Sequence, residues 1–451
     1  MFKSLISHKL TLLFLLFLLL QLPLHSLQSL TYERQSYRNQ ALEQISASSS
    51  GPQRLVGPIL VIPYQQQENQ YNEQEGKYHV IVQQRQLLLL PEQLTVNSTL
   101  QVESRQLGIY QAQLFNGPLQ LSGHFAADGL APLLQDDQIA IGTPYLTVLV
   151  TDARGLLQVP RLKWGDASLP FQPGARLGSR EQGIHAPVSL ATLQSGHSQP
   201  FAFELTLQGS GSLEMVPVGA SSTLTLHSNW PHPSFIGQFL PRERQIDSHG
   251  FRAHWESSWF ANNLQERIQE LDQRGSQALP AFTVSLIEPV DHYQQNNRAL
   301  KYAELFIGLT FLSFFLFELV KRLRLHPIQY ALVSLAQIVF YLVLLALSEQ
   351  IGFSLAYLLA SIACVGLLSF YACFLLGSLL RGLGFACLLS LLYAILYGLM
   401  QAEDLALLLG SGLLFIALAL VMVITRHVDW YRLGRRQAGD DTAQDDPSTA
   451  A

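Results

Sequence analysis

Nine histidines lie between residues 31 and 301: His79, His124, His185, His197, His227, His232, His249, His254 and His292. They are the first side chains that could act as general bases or metal ligands. His227 and His232 flank Asn229-Trp230-Pro231, and His249 and His254 flank Gly250-Phe251. A zinc site needs three or four ligands converging on one point. No HExxH helix pattern and no cysteine pair accompanies these histidines. They read as polar loop or packing residues, and no metal or cofactor is expected. Acidic residues are the next candidates, with Asp136-Asp137 in a polar turn and Glu288-Pro289-Val290-Asp291 at a strand end. Paired acids for glycoside chemistry need a fixed separation, and 23 acids in this region bring chance neighbours. There is no GxSxG elbow, Walker A loop or dinucleotide fingerprint. Gly209-Ser210-Gly211-Ser212 reads as a hairpin turn, and Asn97-Ser98-Thr99 is a sequon of a kind common by chance. No catalytic residue is assigned, and the chain is expected not to be an enzyme.

Two stretches and one boundary remain. Trp230, Pro231, His232, Pro233 and Phe235 sit in a segment stiffened by its prolines. A rigid loop presenting Trp and Phe suits a partner-binding surface; a buried loop crossing between sheets is the alternative. Gly51–Tyr64, an apolar run bracketed by Gly-Pro and Pro, reads as a buried strand. His292, Tyr302 and Glu304 are the polar groups where the central region meets the next apolar zone, and would serve a cleft at a membrane boundary.

The elements that position these residues follow from composition. The chain has 451 residues, 49% hydrophobic and only 14% charged, with a mean hydropathy of +0.20. Soluble chains carry about 25% charge, so this one reads as a membrane protein diluted by a large soluble part. A net charge of -5 argues against nucleic acid as a partner. Lys3 and Lys9 precede the apolar run Leu10–Leu24, which continues weakly to Leu30 without a small-x-small cleavage pattern. Residues 1–9 are thus expected in the cytoplasm, with 10–30 as an uncleaved signal anchor. Five further spans are expected at about 302–320, 328–347, 353–377, 383–400 and 405–425, each long enough for roughly 30 Å of hydrocarbon. Lys321, Arg322 and Arg324 follow the second span, Arg381 the fourth, and Arg426 and Arg432 the sixth, whereas the alternate loops hold only Glu349, Glu403 and Asp404. Basic residues mark the cytoplasmic side. Both termini are expected there, with 31–301 in the periplasm and a tail at 426–451 that is disordered after 439. Ionisable groups cluster near span ends, leaving Gln337 as the main interior polar handle, which speaks against transport. Ala356 and Ala360 form a small-xxx-small pair.

Residues 31–301 read as a β-rich (α+β) domain of two lobes. Strands are expected at Leu55–Pro63, Tyr78–Leu90, Thr95–Glu103, Gly117–Phe125, Tyr145–Thr151, Phe201–Gly209, Ser222–His227 and Phe282–Glu288, several with period-2 alternation. Turn residues such as Asn116-Gly117-Pro118 separate them. Tyr32–Ser46 should continue the first span as a helix. Ser258–Arg274 should form a second, with Phe260, Leu264, Ile268 and Leu271 on one face. Cys364, Cys373 and Cys387 all fall in the expected spans, so the domain has no disulfide.

The motifs carry a family resemblance. Tyr37–Tyr64 (YRNQALEQISASSSGPQRLVGPILVIPY), Ser228–Pro241 (SNWPHPSFIGQFLP), Gly250–Leu264 (GFRAHWESSWFANNL) and Glu288–Phe353 resemble, in order, the blocks of the CreD family of bacterial inner-membrane proteins. That family often has a Trp in the Ser-rich stretch where Ala47 and Ser48 stand here. The resemblance implies a role in cell envelope integrity, envelope stress and tolerance to some colicins, under a two-component regulon. It supplies no catalytic residue. The expected partners are the lipid bilayer and a periplasmic or inner-membrane envelope protein, with a homo-oligomer left open. A membrane-embedded enzyme or lipid handler at the periplasmic boundary is the alternative. A conformational sensor, with Tyr32–Ser46 and Asp291–Lys301 as couplers, is a third option.

Overall fold

A computed structural model describes residues 2–72, 77–130, 139–177, 182–194, 196–261, 264–269, 279–286, 292–321, 326–375, 377–401 and 406–426. The chain divides into two compact units, one of Met1–Tyr37 with Val290–Ala451, the other Arg38–Pro289.

The Arg38–Pro289 unit is built on strands. In chain order these are β1 (Gln53–Asn72), β2 (Lys77–Leu89), β3 (Gln93–Leu107), β4 (Tyr110–Phe125), β5 (Ile139–Ile141) and β6 (Tyr145–Val150). There follow β7 (Arg161–Trp164), β8 (Ala167–Pro170), β9 (Gln172–Pro173), β10 (Gly183–Pro187), β11 (Gln199–Ser210) and β12 (Ser212–Val216). The last are β13 (Ser221–Ser228), β14 (Pro233–Ile236), β15 (Glu243–Asp247), β16 (Gly250–Ser258) and β17 (Phe282–Leu286). One sheet runs β14-β17-β12-β1-β6-β10-β9, with β2 and β5 also on β1; the other runs β15-β16-β13-β3-β4-β11-β7-β8. The β1–β12 and β3–β13 pairs are parallel. Both sheets contribute to one contiguous apolar core, in which Trp255, Phe115, Phe125 and Phe282 are fully buried.

Sequence patterning explains most of this. Leu55, Val56 and Ile59–Ile62 of β1 are all buried, as a central strand covered on both faces requires. Between Val56 and Ile59 the register against β6 shifts, and Gly57 takes φ +133°. A Cβ there would stand 3.0 Å from the Thr147 carbonyl oxygen, so the bulge needs glycine. Along β3, Leu94, Val96, Leu100 and Val102 are buried while intervening residues are mostly exposed.

Three expectations need correction. Asn116-Gly117-Pro118 is not a turn but lies inside β4, paired with β3 and β11. A Cβ at Gly117 would meet the Thr99 carbonyl oxygen at 2.2 Å, so this glycine serves close strand approach rather than reversal. Gly209–Ser212 is not a hairpin: β11 and β12 lie in different sheets, and Gly211, at φ +73°, switches the chain between them. Gly211 donates to Gln113 O at 3.1 Å and accepts from Leu286 N at 2.7 Å. The helix expected over Ser258–Arg274 is shorter. Strand β16 pairs with β13 out to Ser258, a 3-10 turn covers Trp259–Ala261, and the helix spans Leu264–Gln269. Leu264 and Ile268 are buried as expected, but Phe260 is 91% exposed. Leu271 lies outside the described residues, as do Asp136, Asp137 and the Glu288–Asp291 stretch.

The other unit is helical. Its helices are α1 (Phe2–Ser48), whose last eleven residues belong to the Arg38–Pro289 unit, α2 (His292–Lys301), α3 (Ala303–Lys321), α4 (Pro327–Ile351), α5 (Phe353–Leu375), α6 (Leu379–Gln401) and α7 (Ala406–Thr425). Helix α1 is unbroken over 47 residues, roughly 70 Å at 1.5 Å per residue. Helix α4 starts at a capping box. His326 Nδ1 accepts from Ile328 N, Gln329 Oε1 accepts from His326 N, and Pro327 takes the first helical position. Gly352, at φ +82°, ends it. Among the described residues four helices are long and apolar enough to cross a membrane: Thr11–Ser48, Pro327–Ile351, Phe353–Leu375 and Leu379–Gln401. Ala303–Phe315 and Leu408–Val423 are shorter apolar stretches. On α5, Ala356, Ala360 and Cys364 repeat every fourth residue on a buried face. Gln337 Nε2 donates to Thr310 Oγ1 at 2.7 Å, a buried polar pair linking α3 and α4.

Candidate functional site

The Trp230–Phe235 segment joins β13 of one sheet to β14 of the other. The residue just before it is pinned. Asn229 Oδ1 accepts from Val102 N at 2.7 Å and its Nδ2 donates to Val102 O at 3.2 Å, extending the β3–β13 ladder by a side chain. Trp230 is half-buried against the core, and its Nε1 donates to His232 O at 3.0 Å. His232 is exposed, edge-on to the Trp230 ring at 5.9 Å. Pro231 and Pro233 are half-buried, and Pro233 opens β14. Phe235 pairs with Val284 and packs edge-on to Phe251 at 5.6 Å and Trp255 at 5.5 Å. Of the five residues, His232 is thus the outward one, and Phe235 is part of the aromatic packing.

Three histidines of this unit have ordinary partners. His185 is buried with Nδ1 2.6 Å from Gly174 O. His254 bridges Thr225 Oγ1 at 3.0 Å and Glu256 Oε1 at 3.2 Å, and His124 meets Glu92 at 3.1 Å. Among the described residues no three His, Cys, Asp or Glu side chains gather at metal-holding spacing. Asp152 is a more organised acid. It caps the turn Ala153–Gly155, accepts from Arg154 N at 3.1 Å and pairs with the Arg154 guanidinium at 2.6 Å. Its hydrogen bonds to Arg154 hold the carboxyl below the usual value of 3.8, against a smaller opposing effect of burial. Arg154 Nη1 also donates to Ala47 O at 2.6 Å, at the end of α1. Around it Ser46 Oγ meets Ser210 Oγ at 2.9 Å, and Ser50 Oγ donates to Gln208 O at 2.7 Å. Ile45 packs on Ala112 and Leu114.

In the helical unit, His292 opens α2 and its backbone carbonyl accepts from Asn296 Nδ2 at 2.8 Å. Tyr302 forms the break between α2 and α3, half-buried against the apolar core, and Glu304 is exposed in the first turn of α3. These three side chains share no hydrogen bond among those observed. The polar cluster lies elsewhere. Glu349, in the last turn of α4 with its side chain 6% exposed, accepts from Arg34 Nε at 3.0 Å and Arg34 Nη2 at 2.8 Å. Tyr293 Oη donates to the same carboxylate at 2.8 Å. Beside it Asn296 Nδ2 donates to Ser348 Oγ at 2.8 Å. An acid in a last helical turn faces the negative end of the helix dipole; the bidentate guanidinium offsets this. The pair borders a cleft of about 450 Å³ between α1 and α4. Leu30, Leu342, Leu345 and Ala346 form its apolar wall, and Glu33, Tyr37 and Gln350 its polar end. Sequence reasoning saw Glu349 only as a loop acid; 315 positions separate it from Arg34. The signal available was an Arg beyond one apolar run and a Glu at the end of another.

Of the basic residues that orient the expected spans, Arg381 lies in α6, Arg426 follows α7, and Lys321 ends α3. Arg322, Arg324 and Arg432 lie outside the described residues.

A profile of the family described as inner membrane protein CreD matches residues 5–431. The chain belongs to the CreD family. Inner membrane protein CreD of Escherichia coli (strain K12) is 40% identical over 450 residues, 99% of each chain. CreD membership makes this an inner-membrane protein, in keeping with its apolar helices. Among solved structures, an M1 zinc metallopeptidase from Deinococcus radiodurans aligns over 44% of this chain and 42% of its own. Its identity is 8% and its TM-score 0.21, too slight a likeness to bear on fold or chemistry.

Proposed function

We propose that this CreD-family chain is a non-enzymatic protein of cell envelope integrity, contributing to stress and colicin tolerance. In this reading six spans carry it. Both termini are cytoplasmic, on the side marked by Lys321, Arg322, Arg324, Arg381, Arg426 and Arg432, and the two-sheet unit stands in the periplasm as a partner-binding or structural module. The observation that carries the reading is α1. One unbroken helix begins in an apolar stretch of spanning length and ends in a polar clamp of Ser46, Ala47 and Ser50 against β11 and Arg154. Such an attachment suits a module carried on a membrane anchor.

The outward residue of the Trp230–Phe235 segment supplies the test. A photo-crosslinking residue at position 232, in living cells, is expected to capture one specific envelope protein. Recovery of lipid adducts or no adduct overturns the segment as a partner surface.

A second reading, lipid handling at the membrane boundary, is favoured by the charged cleft beside Glu349 rather than by His292, Tyr302 and Glu304. Filling the cleft by Ala346→Trp is expected to abolish envelope tolerance while the two-sheet unit stays protease-resistant. Wild-type tolerance in that variant overturns it.

A further inference from the structure

The cleft between α1 and α4 combines features that select one class of ligand. Its depth is set by helix length. Thr11 to Arg34 spans about 35 Å and Ile328 to Glu349 about 32 Å at 1.5 Å per residue, each close to the roughly 30 Å of a hydrocarbon core. The charged end therefore falls at headgroup level when these helices cross a bilayer. Below it the wall of Leu30, Leu342 and Ala346 offers an apolar track. A volume of about 450 Å³ lies within the range of small-ligand sites.

Charge then chooses the headgroup. Two acids, Glu33 and Glu349, face one base, Arg34. The Glu349 carboxylate, more than nine-tenths buried, holds two guanidinium nitrogens of Arg34, so the base is largely spent. Glu33 accepts a hydrogen bond from Tyr37 Oη at 2.9 Å and, with about four lone-pair sites on a carboxylate, retains capacity for another donor. The C-terminal end of α4 adds partial negative charge. We propose that this cleft binds a phospholipid bearing a primary ammonium headgroup, with the ammonium at Glu33 and acyl carbons along Leu30, Leu342 and Ala346. The proposal rests on the second reading above and names its ligand.

The test uses the full chain, exchanged into vesicles holding equal phosphatidylethanolamine and phosphatidylglycerol, re-extracted and weighed by native mass spectrometry. The wild type is expected to retain the ethanolamine lipid at least fivefold over the glycerol lipid. Glu33→Gln should bring the ratio near one, Glu33→Asp should restore it, and Ala346→Trp should strip both lipids. A wild-type ratio below two, a preference for the glycerol lipid, or an unchanged ratio in Glu33→Gln overturns the proposal. Tolerance assays separate the two ideas. Wild-type tolerance in a Glu33→Gln strain with a lost lipid preference would sink lipid handling and leave the binding site. An intolerant Ala346→Trp strain beside a wild-type ratio near one would sink the ammonium assignment and leave the boundary reading.

Discussion

In the two-sheet unit Arg54 is 7% exposed and its partner Glu214 27%; in the helical unit the acid, Glu349, is 6% exposed and Arg34 39%. The pairs are mirror images in what they hide. Arg54 and Glu214 sit opposite one another on the parallel strands β1 and β12, and the guanidinium also donates to Leu279 O. Its Nε has no partner among the described residues. This pair lies between neighbouring strands inside one sheet. Arg34 and Glu349 instead join two apolar helices, recruit Tyr293, and border open volume. The contrast separates a charge buried for register from a charge buried where a ligand can approach.

Removing the outer partner is the sharpest way to break that comparison, because it strands the buried charge. Glu214→Ala leaves Arg54 with one carbonyl, and a loss of about 3–5 kcal/mol is expected. It would be read as loss of protease resistance of the two-sheet unit in the full chain. Arg34→Ala leaves Glu349 with Tyr293 and a route to water through the cleft, so about 2 kcal/mol is expected, seen as a lower melting temperature in detergent. An equal or larger loss for Arg34→Ala would mean that the cleft is closed and the two pairs are alike. Replacing both Arg34 and Glu349 by Met and Leu should cost less than Arg34→Ala alone.

The next effect divides the segment that sequence reading singled out. Phe235→Ala removes a half-buried ring from between Phe251 and Trp255, for about 2 kcal/mol, below the 3–5 of a fully buried Phe. His232→Ala, at an exposed position, should stay within about 0.5 kcal/mol. If the two variants destabilised equally, the division of this segment into a packed end and a free end would fail.

These contrasts follow the grain of what local sequence can reveal. Expected strands at Leu55–Pro63, Phe201–Gly209 and Ser222–His227 match β1, β11 and β13 because alternation and apolar runs report burial directly. The apolar helices were legible for the same reason. Turn chemistry misled at Gly117 and Gly211, where glycine answers a tertiary demand: close approach to Thr99 in one case, a change of sheet in the other. Phe260 shared a helical period with Leu264 and Ile268, yet pairing of β16 with β13 claimed the residues up to Ser258 first. The Glu349 cluster was illegible because nothing local links residue 34 to 293 and 349; only helix packing brings them together.

A third arginine pair, Asp152–Arg154, exposed at its guanidinium, gives the smallest effect and tests what the α1 clamp contributes. Its carboxyl is held below the ordinary 3.8 mainly by the hydrogen bonds from Arg154. A carboxyl whose value is lower folded than unfolded binds fewer protons when folded, so stability from it is complete above the unfolded value and disappears as pH falls through the folded one. The wild type should therefore lose stability on acidification below about pH 4 through this group, and Asp152→Asn should flatten that part of the melting-temperature profile. The change should be smaller than that of Phe235→Ala, since Arg154 is well exposed and water screens the pair. The geometry adds a second readout. Arg154 also donates to Ala47 O, so loss of its acid partner loosens the end of α1. Amide exchange at residues 46–50 should rise in Asp152→Asn at neutral pH and rise in the wild type on acidification. Unchanged exchange in both would mean that Ser46, Ser50 and Ile45 hold the helix end without help from the ion pair.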